Sequence, residues 1–406
     1  MLDYSYESVV SALPGFLTAE WVPGLNLLGL LGVFLILNLI LVTVLALTWL
    51  ERKVLGNIQL RPGPMINGPH GVLQAPADAV KLLVKEDLTP AAADKKIFKI
   101  GPYLVFLPVF LMFLVIPWSR DVVVRALDLG LLYIVAIPAI STVGLVMSGW
   151  SSGNKYSMLG AARAVAQLIA YELPLVVALL AVALLTQSMS LSAIVEAQTN
   201  LWFIFIQPLG FFLFLTSALA ENNRTPFDIP IAESELVGGP FVEYSGMRWA
   251  LFFLTEYASV FLNAALAATL YLGGWTFFGL PGAILEAVGL SAASGLGGTL
   301  VILIGFGFFF VKTGALIISI MWLRGTLPRL RIDQLMSFAW KALLPVALAN
   351  LVLTAILVVF GNWPAAVATA ITVLAFAIVY LLLRRRAATE RQPVRLARVP
   401  ARPLSP

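Results

Sequence analysis

The chain has 406 residues, 60% of them hydrophobic and only 12% charged, with a formal net charge of +5. Apolar runs of 18 or more residues recur from end to end, which excludes a soluble globule, and the lack of alternating segments of about ten residues excludes a transmembrane barrel. With no cysteine and one histidine, His70, the chain holds no disulfide, no thiolate-bound iron–sulfur cluster and no histidine-rich metal site.

The fold class expected is all-α, a polytopic transmembrane helical bundle. Residues 1–24 contain no Lys or Arg, so no basic region precedes the first apolar run and no cleavable signal is expected. Nine spans are predicted, at 25–50, 99–118, 128–149, 160–186, 201–220, 248–273, 297–323, 340–361 and 364–383. The division expected is an N-terminal segment 1–24, a membrane domain 25–383 with polar loops at 51–98 and 221–247, and a tail 384–406. An odd number of spans puts the termini on opposite sides. Of the basic residues, only Arg120, Arg125 and the span residue Lys312 lie away from one set of loops and the tail. The positive-inside rule therefore places the N-terminus outside and the C-terminus in the cytoplasm.

The first loop is too long for a connector. Within it Val72–Val84 is amphipathic, with Leu73, Ala77, Val80 and Val84 on one helical face and Asp78, Lys81 and Lys85 on another. That pattern predicts a helix lying in the membrane interface. The Arg- and Pro-rich tail reads as disordered and suited to anionic lipid.

Charges inside spans are the main chemical signal, because each costs roughly 2.5–3.5 kcal/mol at the bilayer centre. Glu172 lies nine residues past Arg163, Glu256 eight past Arg248, and Lys312 twelve before Arg324. At about 1.5 Å per residue all three are expected roughly 12–18 Å inside, near the midplane. Groups at one depth can share water and exchange protons; a static Glu–Lys pair is the plainer alternative. Lone polar residues such as Asn263 read as interhelical hydrogen bonds.

The loop Ala220–Gly246 carries Glu221, Asp228, Glu233, Glu235 and Glu243 interleaved with Pro226, Phe227, Ile229 and Leu236. Acids among apolar residues suggest a loop folded into a cavity, where Glu233 and Glu235 can line one wall if the backbone there is extended or irregular. A solvated loop is the alternative.

The motifs themselves resemble a known family. Glu51-Arg52-Lys53-Val54-Leu55-Gly56, Gln59-Leu60-Arg61-Pro62-Gly63-Pro64, Ala162-Arg163-Ala164-Val165-Ala166-Gln167, Tyr171-Glu172 and Glu221-Asn222-Asn223-Arg224-Thr225-Pro226-Phe227-Asp228 look like the H subunit of respiratory complex I, its quinone-site membrane component. Ala232-Glu233-Ser234-Glu235-Leu236, Glu243-Tyr244-Ser245-Gly246, Glu256-Tyr257 and Arg324-Gly325-Thr326-Leu327-Pro328-Arg329 continue the match, which runs from about residue 25 to 350 in one order. The resemblance implies a subunit of a proton-translocating NADH:quinone oxidoreductase in a bacterial cell membrane, with no redox centre of its own. FMN and iron–sulfur clusters would reside in partner subunits. The partners implied are the other membrane-arm subunits and the quinone-proximal hydrophilic ones, with quinone (ubiquinone or menaquinone) as substrate. Carried over by residue, Arg52, Arg61, Phe227, Asp228 and Arg324 would serve the quinone tunnel. Glu172, Glu233, Glu235 and Glu256, with Lys312, would serve proton coupling. The chain departs from the family at Ile231, where an acid is usual, at Met65-Ile66-Asn67, which lacks a basic residue, and at Pro240-Phe241-Val242. A component of a membrane-bound hydrogenase and a stand-alone ion transporter are the alternative readings.

Overall fold

A run of apolar residues with no water to bond its backbone must satisfy its amides internally, and helices dominate accordingly. The computed structural model describes residues 20–22, 25–120, 122–230, 233–277 and 295–359. A short antiparallel pair, β1 (Glu20–Val22) and β2 (Leu25–Asn26), leads into α1 (Leu27–Ile58). At 32 residues α1 is about 48 Å long, so it outreaches a hydrocarbon core of about 30 Å and carries Glu51 and Arg52 to one membrane edge. Next come α2 (Gln74–Val84), α3 (Lys95–Met112), α4 (Gly130–Ala136) and α5 (Pro138–Ser151), the last two forming one span interrupted at Pro138.

The 32-residue α6 (Lys155–Thr186) begins at Asn154, whose side chain accepts from the Tyr156 amide at 2.9 Å. Short helices α7 (Leu191–Ala197) and α8 (Phe203–Ile206) precede α9 (Pro208–Glu221), and the turn α10 (Glu233–Leu236) precedes α11 (Gly246–Tyr271). The chain continues through α12 (Gly295–Thr326), α13 (Ile332–Phe338), a π-helical turn at Ala339–Leu343 and α14 (Leu344–Val359). Pro345 follows that turn; its missing N–H cannot close an α-helical bond there.

Among the described residues six helices are long and apolar enough to cross a membrane: Leu30–Ile58, Gly130–Ser151, Lys155–Thr186, Gly246–Tyr271, Leu300–Thr326 and Ile332–Val359. The segment expected at 99–118 is α3, which is 18 residues long with three lysines in its first two turns. The one expected at 201–220 is broken at Gln207–Pro208, leaving the 14-residue apolar α9. The segment 364–383 and the tail lie outside the described residues, as does nearly all of 1–24.

The central helix is α11. Every residue from Val260 to Tyr271 is buried, as befits a helix apolar on all sides, and it packs against α1, α3, α9 and α12. On the edge side, α2 has the expected amphipathic character. Leu73, Ala77, Val80 and Val84 are exposed, whereas Asp78 turns inward to Arg52. An apolar face turned outward fits a helix lying on lipid. Gly71, which precedes this helix, adopts φ +77, and a Cβ there would collide with the Pro64 carbonyl oxygen; only glycine fits.

Candidate functional site

The loop after α9 is drawn into the bundle. Asn222, Arg224, Phe227, Ile229, Leu236 and Tyr244 are all buried, so the solvated-loop alternative fails. Arg224, 4% exposed, is its anchor. Its Nη1 donates to both carboxylate oxygens of Glu51, at 2.8 and 2.9 Å. Its guanidinium carbon lies 4.5 Å from the Tyr257 ring centroid, and its Nε stands 3.0 Å from Glu256 Oε1, off the hydrogen-bond axis. Arg324 also donates to Glu51 Oε1. Two guanidinium groups thus face two carboxylates and the charges balance; Glu51 and Arg224 are buried, and the gap among Glu51, Arg224, Tyr257 and Arg324 is only ≈ 10 Å³.

Glu256 also borders a larger space. A cavity of ≈ 130 Å³, measured as room for the centres of water molecules, is lined by Glu172 of α6, Glu221 of α9 and Glu256 of α11, with Asn222, Asn263, Thr255, Ser259, Ser141 and Thr142. At about 30 Å³ per water this has room for several. Asn263 Nδ2 donates to Asn222 Oδ1 at 3.1 Å and to Glu221 Oε2 at 3.3 Å, the interhelical hydrogen bond expected of it. Pro174, two residues after Glu172, frees the backbone carbonyl one turn earlier in α6, adding local polarity beside that acid. Arg324, Glu51, Arg224 and Glu256 therefore form a chain of charges that opens onto a largely apolar cavity bordered by two more acids.

Lys312 is not part of this assembly. Its ammonium donates to the carbonyl oxygens of Leu272 (2.6 Å), Gly274 (3.0 Å) and Thr276, and lies 4.5 Å from the Trp202 ring centroid. These groups follow the C-terminus of α11, sixteen or more residues beyond Glu256, or about 24 Å along the axis. The common depth expected for Glu172, Glu256 and Lys312 thus holds for the two acids alone. Counting from Arg324 fails because that residue stands level with Glu256, to which it is linked through Glu51 and Arg224, so the twelve residues from Arg324 back to Lys312 carry the lysine about 18 Å beyond the acids.

The remaining expected residues are spread around the edge of the site. Arg52 pairs with Asp78 at 2.8 Å; Gln74 and Lys81 approach the same carboxylate at 3.3 and 3.6 Å. Burial opposes the charge on Asp78, but the hydrogen bond and charge of Arg52, with Gln74 and Lys81, hold its carboxyl below the usual value of 3.8. Arg61 is exposed on the same loop. Phe227 packs at 5.5 Å on the Tyr171 ring, and its carbonyl accepts from Gln167 Nε2 at 2.8 Å; Asp228 is half-buried beside it. Glu235, half-exposed, pairs with Arg163 at 2.8 Å. Glu233 starts α10, and only its backbone is described. Because 233–236 is a helical turn, positions 233 and 235 diverge by about 200° rather than sharing a wall. Ile231 lies outside the described residues.

Glu51 and Glu221 are the acids that sequence reasoning did not select. Both stand at the end of an apolar run, where a charge is ordinarily solvated. The available signal for Glu51 was Arg324, whose nearest acid along the chain is Asp333, nine residues on.

The NADH dehydrogenase family pattern matches residues 31–355. Similar curated proteins include the H subunit of NADH-quinone oxidoreductase from Dehalococcoides mccartyi (strain CBDB1), 48% identical over 321 residues, covering 79% of this chain and 84% of the relative. The H subunit of the same enzyme from Bacillus thuringiensis (strain Al Hakam) is 45% identical over 335 residues, covering 81% and 92%.

Proposed function

The chain belongs to the NADH dehydrogenase family and is a membrane subunit of a multisubunit NADH-quinone oxidoreductase, and on that premise we propose that it forms part of a quinone site and couples quinone reduction to proton movement. The observation that carries this reading is the unbroken run Arg324–Glu51–Arg224–Glu256 ending at the cavity of Glu172 and Glu221. Reducing a quinone to quinol takes two electrons and two protons. A chain without cysteine holds no thiolate-bound iron–sulfur cluster, and in this reading the electrons come from partner subunits that carry FMN and iron–sulfur clusters. Protons taken from the site to make quinol would leave it more negative, which would shift the pairing of Arg224 between Glu51 and Glu256, and Glu256 would pass that change to the acids of the cavity.

In this reading Arg52, Arg61, Phe227, Asp228 and Arg324 border the quinone path. An isoprenoid tail would approach from lipid alongside the outward apolar face of α2. Glu235, and Glu233 beside it, stand where the loop meets α6. The basic loops face the cytoplasm, with the N-terminus outside, and the soluble quinone-proximal subunits dock on them while other membrane-arm subunits pack on the exposed spans.

Glu256→Gln tests the link. The expected result is quinone-linked turnover reduced at least tenfold in an assembled complex, with electron flow from NADH to an artificial acceptor upstream preserved. Equal loss of both activities, or loss of neither, would contradict the proposal.

A further inference from the structure

At the far end of the bundle from the acids, three helices bring unpartnered polar atoms to one point. Gln207 (1% exposed) precedes α9, Tyr271 (0%) ends α11 and Asn350 (1%) lies on α14. The Gln207 Oε1, the Tyr271 hydroxyl and both side-chain polar atoms of Asn350 lack a protein partner. Beside Gly210 the position of a would-be Cβ lies 3.2 Å from Gln207 Oε1, 3.4 Å from Asn350 Nδ2 and 3.4 Å from the Tyr271 oxygen, with nothing else nearer. Buried polar atoms are rarely left unbonded, and three facing one glycine point to a ligand.

We propose that the Gly210 niche is a binding site for a structural water bridging α9, α11 and α14. The donor and acceptor pattern selects the ligand. Gln207 is oriented by its Nε2, which donates to Thr354 Oγ1 at 2.5 Å, while that hydroxyl donates to the Asn350 carbonyl at 2.7 Å. Its Oε1 is therefore an acceptor facing the niche, whereas Asn350 Nδ2 is a donor and the Tyr271 hydroxyl can donate. A metal cation is disfavoured by the amide N–H groups and an anion by Oε1. Water accepts from Asn350 and Tyr271 and donates to Gln207, the three-bond pattern usual for buried water. The site is separate from the acid cavity: Gln207, Gly210, Tyr271 and Asn350 do not line that space. Phe214, which does, packs its ring 5.8 Å from that of Tyr271. The water therefore fastens helices and takes no part in proton coupling.

A high-resolution cryo-EM map of the intact complex, together with variants at Gly210, tests the site. The wild-type map should show one peak at hydrogen-bonding distance from all three side chains. In Gly210→Ala the methyl group should displace it and lower the melting temperature of the complex. Gly210→Ser, whose hydroxyl can take over part of the bonding, should recover much of the loss. The proposal is overturned if a map that resolves other buried waters shows none here, if the three side chains bond directly to one another, or if Gly210→Ala melts like the wild type. Failure of the alanine variant to assemble would leave the wild-type map to decide.

Discussion

Glu51 illustrates how much depends on a single carboxylate. It accepts from Arg224 and Arg324 at 4% exposure, so Glu51→Gln leaves two guanidinium groups facing each other with only Glu256 to balance them. Removing one partner of a buried pair costs roughly 3–5 kcal/mol, and the variant should assemble poorly and melt early, as measured by yield and thermal unfolding of the complex. Wild-type stability would mean that the pairing is dispensable. The Arg52–Asp78 pair makes a different prediction, about pH. Because the folded Asp78 carboxyl titrates below its usual 3.8, its contribution is present above that value and lost as pH falls through the lower folded one. Hydrogen exchange in the first loop should therefore stay slow down to about pH 4 and quicken only in stronger acid. In Asp78→Asn it should be fast at neutral pH, and an unchanged profile would remove the pair from the account.

At the level of elements, the end of α11 depends on Lys312. A helix C-terminus leaves carbonyl groups unpaired, and the turn through Gly273 and Gly274, both at positive φ, points further carbonyls at the same place. One ammonium collects three of these oxygens. Lys312→Met should cost roughly 2 kcal/mol or more, seen as a lower melting temperature, while the proton-to-quinone ratio of the surviving complex stays normal. A variant of normal stability that has lost coupling would return Lys312 to the proton path. The sequence made the apolar helices, the amphipathic α2 and the acids within spans legible, because periodicity and the cost of buried charge are local properties. It could not show that Arg324 stands level with Glu256, since that follows from Glu51 some 273 positions earlier. Nor could it show the helical turn at 233–236, where an acid-rich loop offers no strong local preference.

Taken whole, the molecule has two unlike ends around one buried helix. One end holds the charge chain and the cavity bordered by Glu172, Glu221 and Glu256. The other is fastened by the Lys312 cap and by the polar contacts of Gln207, Thr354 and Asn350. In the proposed function this asymmetry sets the charges that respond to quinone reduction at one end and the polar fastening of the helices at the other. The most direct test is the number of protons translocated per quinone reduced by the complex carrying Glu172→Gln in sealed proteoliposomes. The account predicts an assembled complex with normal electron transfer from NADH to an upstream artificial acceptor, sharply reduced quinone turnover and few or no protons moved. A variant with the wild-type turnover and proton ratio would contradict it.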